Sequence, residues 1–150
     1  MRSSSNTAGS IYSVGYEGRS IDEFVDALVA NGVELVVDVR LNAISRKKGF
    51  SKTALTTALA DASIGYHHER SLGNPKDNRD DFRSGLPAAR ARYQRHLRNG
   101  ASDCLRAVTE LARRHTVALL CFEHDHSTCH RSCITDHMQE SWPHLNVLRI

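Results

Sequence analysis

The stretch T-V-A-L-L-C-F, residues 116–122, is the clearest buried strand of the chain and decides the fold class. Apolar residues follow one another in it without alternating polar positions, which is typical of a strand covered on both faces. A second run of this kind is V-E-L-V-V-D-V, residues 33–39. Strands of this type occur in parallel sheets that carry helices on both faces, so the two runs favour an α/β fold.

Strand and helix patterns alternate along the rest of the chain. Strands are predicted at 11–15, 33–39, 63–68, 116–122 and 145–150, and helices at 20–31, 51–62, 88–98, 102–114 and 129–140. In the first helix Ser20 and Glu23 have capping-box spacing, and Gly32 follows the last turn. Residues 69–87 are rich in glycine, proline and charge and are predicted as a long mobile loop.

The connections between the predicted strands fix the topology. Each one is long enough to hold a helix, and this pattern favours parallel neighbours. The sequence therefore predicts a single three-layer α/β domain over residues 11–150, with a mostly parallel, Rossmann-like sheet of about five strands and helices on both faces. Residues 1–10 contain no apolar segment and are predicted as a disordered tail.

Composition narrows the class of protein. The 40% hydrophobic and 25% charged residues are those of a globular protein, and no apolar run approaches the roughly 18 residues that a membrane span needs. Four cysteines without a C-x-x-C pair, and no signal peptide, predict reduced thiols in the cytoplasm. A net charge of +3 permits an anionic ligand without requiring nucleic acid.

Polar residues cluster after four of the predicted strands. Because parallel strands end at the same edge, where ligands bind in such folds, these clusters are expected to meet. They are Tyr16, Glu17 and Arg19 after the first strand, Asp38 and Arg40 at the second, His67, His68, Glu69 and Arg70 at the third, and Cys121, Glu123, Asp125, Cys129, His130 and Arg131 after the fourth.

Asp38 follows the apolar residues 35–37, where a carboxylate is costly to bury without a partner. Two interpretations stay open for it. It pairs with an arginine or braces a neighbouring loop, or it acts directly as a ligand or a catalytic group.

Cys129 is predicted near the start of the last helix, with Ser127 or Thr128 as the N-cap. Helix N-termini favour anions and lower thiol pKa values. One interpretation is a phosphate or carboxylate pocket made by the helix terminus with Arg131, Arg19 and Arg40. The other is a nucleophilic Cys129 or Cys121 activated by a histidine. Adjacent residues of a helix do not face each other, so Cys129 and His130 alone are expected to make a poor dyad.

A metal site is a further alternative, because Cys121, Glu123, His124, Asp125, His126, Cys129, His130, Cys133 and His137 crowd one segment. His130, Cys133 and His137 would share one helix face. No standard zinc spacing is present, however, and histidine-rich loops are often only solvated. The cofactor is therefore left open, and no metal ligand is predicted.

At the level of motifs the sequence resembles the bacterial and archaeal family called domain of unknown function 488. The resemblance runs from about Ile11 to Ile150. It rests on five motifs: I-Y-S-V-G-Y-E-G-R-S at 11–20, V-V-D-V-R at 36–40, F-S-K at 50–52, Y-H-H-E-R-S-L-G-N at 66–74 and C-F-E-H-D-H-S-T-C-H-R-S at 121–132.

The resemblance implies a compact α/β domain of cytoplasmic proteins, without an established activity. Tyr16 stands where family members often have histidine, and His124, His126, Cys133 and His137 fall outside the pattern, which weakens the metal alternative. The residues that match are Arg19, Asp38, Arg40, Cys121, Glu123, Asp125, Cys129, His130 and Arg131. V-V-D-V-R and the late cysteine also look somewhat like a rhodanese, although the carboxylates at 123 and 125 would disfavour a thiolate there.

Three functions remain. The first is an enzyme acting on a phosphate-bearing substrate, such as a nucleotide or nucleic-acid end; Glu123, Asp125, Cys129, His130 and Asp38 are its catalytic candidates, and Arg19, Arg40, Arg131, Tyr16 and Cys121 bind the substrate. The second is a non-catalytic nucleotide or nucleic-acid binding module that uses basic residues within 46–48 and 90–98. The third is rhodanese-like sulfur transfer or redox chemistry. No membrane partner is expected, and the oligomeric state is open.

Overall fold

The computed structural model describes residues 9–150, so the predicted tail lies outside the described residues except for its last two positions. Within this range five strands form one sheet, and every neighbouring pair is parallel. The strands are β1 (Gly9–Gly15), β2 (Leu35–Asp38), β3 (Gly65–His68), β4 (Val117–Cys121) and β5 (Leu145–Arg149), in the order β3-β2-β4-β1-β5. The predicted fold class is confirmed, and β1 begins at Gly9, inside the predicted tail.

Helices cover both faces of this sheet. The described part of the chain contains α1 (Ile21–Ala30), α2 (Lys52–Asp61), α3 (Lys76–Arg83), α4 (Pro87–Arg98), α5 (Ser102–Arg114) and α6 (Arg131–Ser141), with short 3-10 turns at Arg70–Leu72 and His126–Thr128. One core packs α1 and α2 on the sheet through Phe24 and Leu59, and the other packs α4, α5 and α6 through Tyr93 and Ile134. None of the helices in residues 9–150 is long and apolar enough to cross a membrane.

The central strand β4 explains why T-V-A-L-L-C-F is apolar throughout. All of its residues are buried. Ala118 and Leu120 belong to the core under α1 and α2, whereas Leu119 and Cys121 belong to the core under α4 to α6. Both faces of the strand are therefore covered, and its carboxyl end at Cys121 lies at the middle of the sheet edge.

The ends of α1 are as predicted. The Ser20 hydroxyl accepts a hydrogen bond from the Glu23 N–H, and the Glu23 carboxylate accepts one from the Ser20 N–H. Gly32 follows the helix with a φ of 69°, a conformation that glycine adopts without strain. This helix is confirmed, including its capping box.

The prediction of a long mobile loop over 69–87 is wrong. Residues 76–83 form α3, which begins directly after Pro75. Phe82 is its one large apolar residue, so the helix has no apolar stripe that the sequence could reveal. It is fixed instead by tertiary contacts: Phe82 packs edge-on against Tyr93, and the amide of Asn78 donates to the Ala89 carbonyl at 3.0 Å.

The predicted start of the last helix is also wrong. Asp125 accepts hydrogen bonds from the N–H and the hydroxyl of Ser127, and this turns residues 126–128 into a separate 3-10 turn. Neither Ser127 nor Thr128 caps α6, which begins at Arg131 after His130. Cys129 consequently precedes the helix in an extended conformation, with φ −108° and ψ 148°.

Candidate active site at the carboxyl edge of the sheet

A pocket of about 470 Å³ opens beyond the carboxyl end of β4. Its walls differ in chemistry. Tyr16, Ile44, Phe82 and Phe122 supply apolar surface, whereas Arg40, Lys76, Arg79 and Arg83 are basic. Cys121, Glu123, Cys129 and His130 also line the pocket. The polar clusters predicted after β1, β2 and β4 thus contribute to one concave site.

The floor of the pocket is a thiol–imidazole cluster, defined here as Cys121, Cys129 and His130. The His130 Nδ1 lies 3.6 Å from the Cys129 Sγ and 3.9 Å from the Cys121 Sγ. The possible ligand atoms of all three residues lie within 4.8 Å of one another, and all three side chains are buried. Cys121 reaches the cluster from the end of β4, and the other two reach it from the segment before α6.

The ring of His130 is held by the backbone of a neighbouring segment. Its Nε2 lies 2.8 Å from the Val39 carbonyl oxygen, which can only accept a hydrogen bond. Nε2 therefore carries a hydrogen, and Nδ1 is the nitrogen that faces the two sulfurs. The ring also packs edge-on against Tyr93, with centroids 5.2 Å apart.

The expectation that Cys129 and His130 make a poor dyad is wrong. It assumed that both residues lie inside a helix, where neighbours point in different directions. Cys129 has extended backbone angles and His130 is the first residue with helical ones, so both side chains turn toward the cluster. The turn that directly precedes them is closed by the two hydrogen bonds that the Asp125 carboxylate accepts from Ser127.

Arg131 supports the cluster from behind rather than lining the pocket. Its side chain is fully buried, its Nε donates to the Cys129 Sγ at 3.2 Å, and its guanidinium also donates to the Glu123 carbonyl. Gly15 makes room for this carbonyl, since any Cβ at residue 15 would collide with it. The end of β1 and the loop after β4 are therefore in close backbone contact directly beneath the site.

The pKa values of the three side chains in the cluster are shifted in different directions. Burial opposes a charge on Cys129, but the hydrogen bond from the Cys121 thiol and the nearby His130 and Arg131 hold the pKa of Cys129 well below its ordinary value. The same hydrogen bond, together with burial, raises the pKa of Cys121. Burial also opposes a charge on His130, yet the neighbouring Cys129 raises the pKa of the ring overall. The two thiols are thus chemically distinct.

Asp38 pairs with an arginine, as one of its two interpretations expected. Its carboxylate is fully buried and accepts from the Arg40 Nε at 2.9 Å and the Arg40 Nη2 at 2.7 Å. The Tyr66 hydroxyl donates to it as well, and burial together with this carboxylate raises the pKa of Tyr66. Arg40 reaches the pocket, whereas Asp38 does not line it. Asp38 therefore positions the guanidinium.

Glu123 lies at the pocket wall, between the thiol of Cys121 and the guanidinium of Arg83. Its carboxylate forms an ion pair with Arg83 at 2.5 Å, and its Oε1 lies 3.2 Å from the Cys121 Sγ. Asp125 and Arg19 do not line the pocket. Asp125 is exposed, and the Ser127 hydroxyl and N–H lower the pKa of its carboxyl. The structure thus brings Glu123, but not Asp125, to the cluster.

Three basic pocket residues were missed by the sequence analysis: Lys76, Arg79 and Arg83, all on α3. The missed signal is their spacing. They stand at positions i, i+3 and i+7, which places them on one face of a helix. A helix start after Pro75 would have revealed this basic face, but the mixed charges of the segment suggested a loop.

Other histidines and cysteines of the segment lie outside the cluster. His126 is buried with its Nδ1 2.6 Å from the Ser13 hydroxyl, and burial together with Arg131 and Arg149 lowers its pKa to about 4. Cys133 lies in the core, where burial raises its pKa to about 11. The alternative metal site on the helix face of His130, Cys133 and His137 is therefore not formed. Among residues 9–150, the possible metal-ligand atoms that lie close together belong to the thiol–imidazole cluster.

A wound parallel sheet with a cysteine-bearing pocket beyond its central strand defines the class of this molecule: an α/β protein whose site lies at the carboxyl edge of the sheet. Within that class the chain belongs to the family described as Domain of unknown function DUF488, whose model matches residues 20–138. The resemblance seen in the motifs is thereby confirmed. No curated protein and no solved structure gives a significant match.

Proposed function

We propose that this protein is an enzyme that acts on a phosphate-bearing substrate of nucleotide type, bound in the pocket at the end of β4. One observation carries the proposal. Among the described residues that line the pocket, four basic side chains face one carboxylate, and the thiol–imidazole cluster forms the floor between them. Convergent charged groups in a concave site beyond the carboxyl ends of parallel strands are typical of active sites in this fold class.

Lys76 and Arg79 are the groups that would hold the phosphate. Lys76 is exposed at the pocket, and Arg79, which also lines it, donates from Nε to the Asn74 carbonyl at 3.2 Å. Arg40 and Arg83, by contrast, are already paired with Asp38 and Glu123. Basic groups without a carboxylate partner are the better anion ligands, because no internal ion pair has to be broken.

The apolar wall favours a substrate with an organic part. Ile44 is 78% exposed and Phe122 is 40% exposed, although both line the pocket. Phe122 packs edge-on against Tyr16, which stacks on Phe50. A flat ring such as a nucleobase would cover this surface, whereas inorganic phosphate would leave it in water.

Calorimetric titration of the purified protein with inorganic phosphate, a nucleoside and the matching nucleoside monophosphate tests this proposal. The monophosphate is expected to bind more tightly than either part. Lys76→Gln and Arg79→Gln are each expected to weaken it by about 10-fold or more, because one hydrogen bond to a charged group contributes roughly 1.5–3 kcal/mol.

Arg92→Gln is the matched control, since Arg92 is exposed on α4 outside the pocket and the variant loses the same charge. It is expected to bind like the wild type. Equal binding by all variants, or a monophosphate that binds no better than its nucleoside, would contradict the proposal.

Cysteine-based chemistry is the second candidate function. It is favoured by the donation from the Arg131 Nε to the Cys129 Sγ at 3.2 Å, on the floor of an open pocket. In this alternative Cys129 attacks the substrate directly as a nucleophile. Labelling of the native protein with iodoacetamide distinguishes it, because selective and rapid modification of Cys129 is then expected.

A further inference from the structure

The geometry of the thiol–imidazole cluster points to a binding site for one zinc-type transition-metal ion, with Cys121, Cys129 and His130 as its three protein ligands. We infer that the fourth coordination position faces the pocket. The binding of the ion does not depend on the proposed function. What the fourth position would accept, water or a substrate oxygen, does rest on it.

The distances between the ligand atoms fit a tetrahedral ion. Zinc lies about 2.3 Å from a thiolate sulfur and about 2.0 Å from an imidazole nitrogen, so these two ligand atoms stand roughly 3.5 Å apart at a tetrahedral angle. The His130 Nδ1 lies 3.6 Å from one sulfur and 3.9 Å from the other. Small side-chain rotations are therefore enough to close the site around an ion.

The ligand types select the metal. Two thiolates and one imidazole are soft to borderline donors, which suit Zn²⁺, Co²⁺ or Fe²⁺ and disfavour Mg²⁺ and Ca²⁺. Two thiolates also balance the charge of a divalent ion. The Arg131 Nε–H that donates to the Cys129 Sγ at 3.2 Å is compatible with this, because a metal-bound thiolate still accepts hydrogen bonds.

The surroundings of His130 are those of a metal-bound histidine. Metal-ligating histidines usually donate their other ring N–H to a carbonyl or carboxylate, which fixes the tautomer and the ring plane. Here the Nε2–H donates to the Val39 carbonyl at 2.8 Å, and the Tyr93 ring packs against the imidazole. Nδ1 is thereby held with its lone pair toward the two sulfurs without any ion being needed to place it.

Three protein ligands with an open fourth position are the pattern of catalytic rather than structural zinc. All three ligands line the pocket, so the open position is reached from solvent. Glu123 stands beside it, with its Oε1 3.2 Å from the Cys121 Sγ and its Oε2 paired with Arg83. A carboxylate in this place can accept a proton from a metal-bound water.

The spacing of the ligands explains why the sequence did not reveal the site. Zinc motifs are recognised by two close pairs of ligands, whereas here one thiol comes from the end of β4 and the adjacent pair begins eight residues further on, after the 3-10 turn. The 3-10 turn capped by Asp125 connects the two parts.

Metal analysis of the chain, purified without chelators, is the first experiment, and about one equivalent of zinc per chain is expected. The chelator-stripped protein is then titrated with Co²⁺. The intense visible absorption of tetrahedral cobalt and a near-ultraviolet thiolate-to-cobalt band are expected to appear together and to saturate at one ion.

Cys121→Ser, Cys129→Ser and His130→Ala are each expected to weaken Co²⁺ binding by more than the roughly 10-fold to 100-fold that loss of an outer-shell partner costs. Cys104→Ser is the matched control, because Cys104 is a partly buried thiol on α5 outside the cluster. Circular dichroism shows whether each variant is folded. Protection of Cys121 and Cys129 from iodoacetamide by Zn²⁺ in the wild-type chain gives a readout that needs no variant.

Folded wild-type protein that shows no thiolate-to-cobalt band would overturn the inference. So would rapid alkylation of Cys129 that Zn²⁺ does not slow, which would favour the nucleophile instead. The proposed function is tested separately. If the metal binds but nucleoside monophosphate does not, the metal site is supported and the proposed substrate is contradicted. If nucleoside monophosphate binds but the metal does not, the proposed substrate is supported and the metal site is contradicted.

Discussion

At the residue scale, the pair of Asp38 and Arg40 shows how a charge inside the core serves the pocket. Asp38 is fully buried at the end of β2, and both of its oxygens are taken by the Arg40 guanidinium. Arg40 also donates to the Phe50 carbonyl at 2.7 Å, which ties the loop after β2 to the site. The carboxylate therefore positions one basic group of the pocket without lining the pocket itself.

Replacing Asp38 with Asn keeps the shape but removes the charge, and it leaves the buried guanidinium without its partner. Breaking one half of a buried ion pair costs about 3–5 kcal/mol, so we expect Asp38→Asn to lower the free energy of unfolding by this order. Urea denaturation measures it. Tyr66→Phe, which removes one hydrogen bond to the same carboxylate, is expected to cost only about 1–2 kcal/mol. Equal losses in the two variants would show that the ion pair is not the dominant contact.

At the scale of elements, α3 is the part of the pocket that depends most on tertiary structure. It carries Lys76, Arg79 and Arg83, yet it has little apolar surface of its own. Asn78, which is 1% exposed, donates to Asn74 and to the Ala89 carbonyl and so attaches the helix to the start of α4. The basic wall is held by these polar contacts more than by hydrophobic burial.

Asn78→Ala is accordingly expected to loosen α3 without unfolding the rest. Loss of both hydrogen bonds costs about 1–3 kcal/mol locally. Hydrogen exchange of the amides in residues 76–83 is expected to accelerate by about 10-fold or more, while β4 keeps its protection. Asp77→Ala, an exposed change on the same helix, is the control. Uniform acceleration across the whole chain would contradict a local role.

The elements also show what the sequence could predict. The five strands and α1, α2, α4 and α5 were predicted with bounds close to the observed ones, because buried parallel strands and helices with regularly spaced apolar residues leave local patterns. The meeting of Tyr16, Arg40 and Cys121 in one pocket followed from the shared edge of parallel strands. The part played by α3 could not follow, since Asn78 and Phe82 act through partners in α4 that are distant in sequence. The burial of Arg131 behind the cluster depends on the same kind of distant contact, with the carbonyl of Glu123.

At the scale of the whole molecule, the stability of the fold depends on keeping one buried histidine neutral. The pKa of His126 is about 4 in the folded protein and about 6.5 in an unfolded chain. Between these values the unfolded state binds the proton more tightly, so stability falls as the pH is lowered from 6.5 to about 4 and the loss is complete below that range. Acid therefore works against the packing of His126 between Ser13 and Thr135.

His126→Gln is expected to flatten this dependence. Chemical denaturation of wild type and variant at several pH values between 4 and 7 measures the slope, and the other titrating groups are common to both proteins. His144→Gln is the control, because His144 is exposed. A slope that His126→Gln leaves unchanged would assign the acid sensitivity to other residues.

The strand order has a consequence for how the protein is made. β1 and β2 are the first strands in the sequence, but they do not pair with each other; each pairs with β4, which lies between them. During synthesis on the ribosome, β1 therefore has no strand to pair with until residues 117–121 have emerged. Before that point β2 can pair only with β3. Unpaired strand edges invite association with other chains, so a stalled or truncated nascent chain is the form of this protein that most needs a chaperone. The pocket, which closes around the end of β4, is correspondingly among the last features to be assembled during translation.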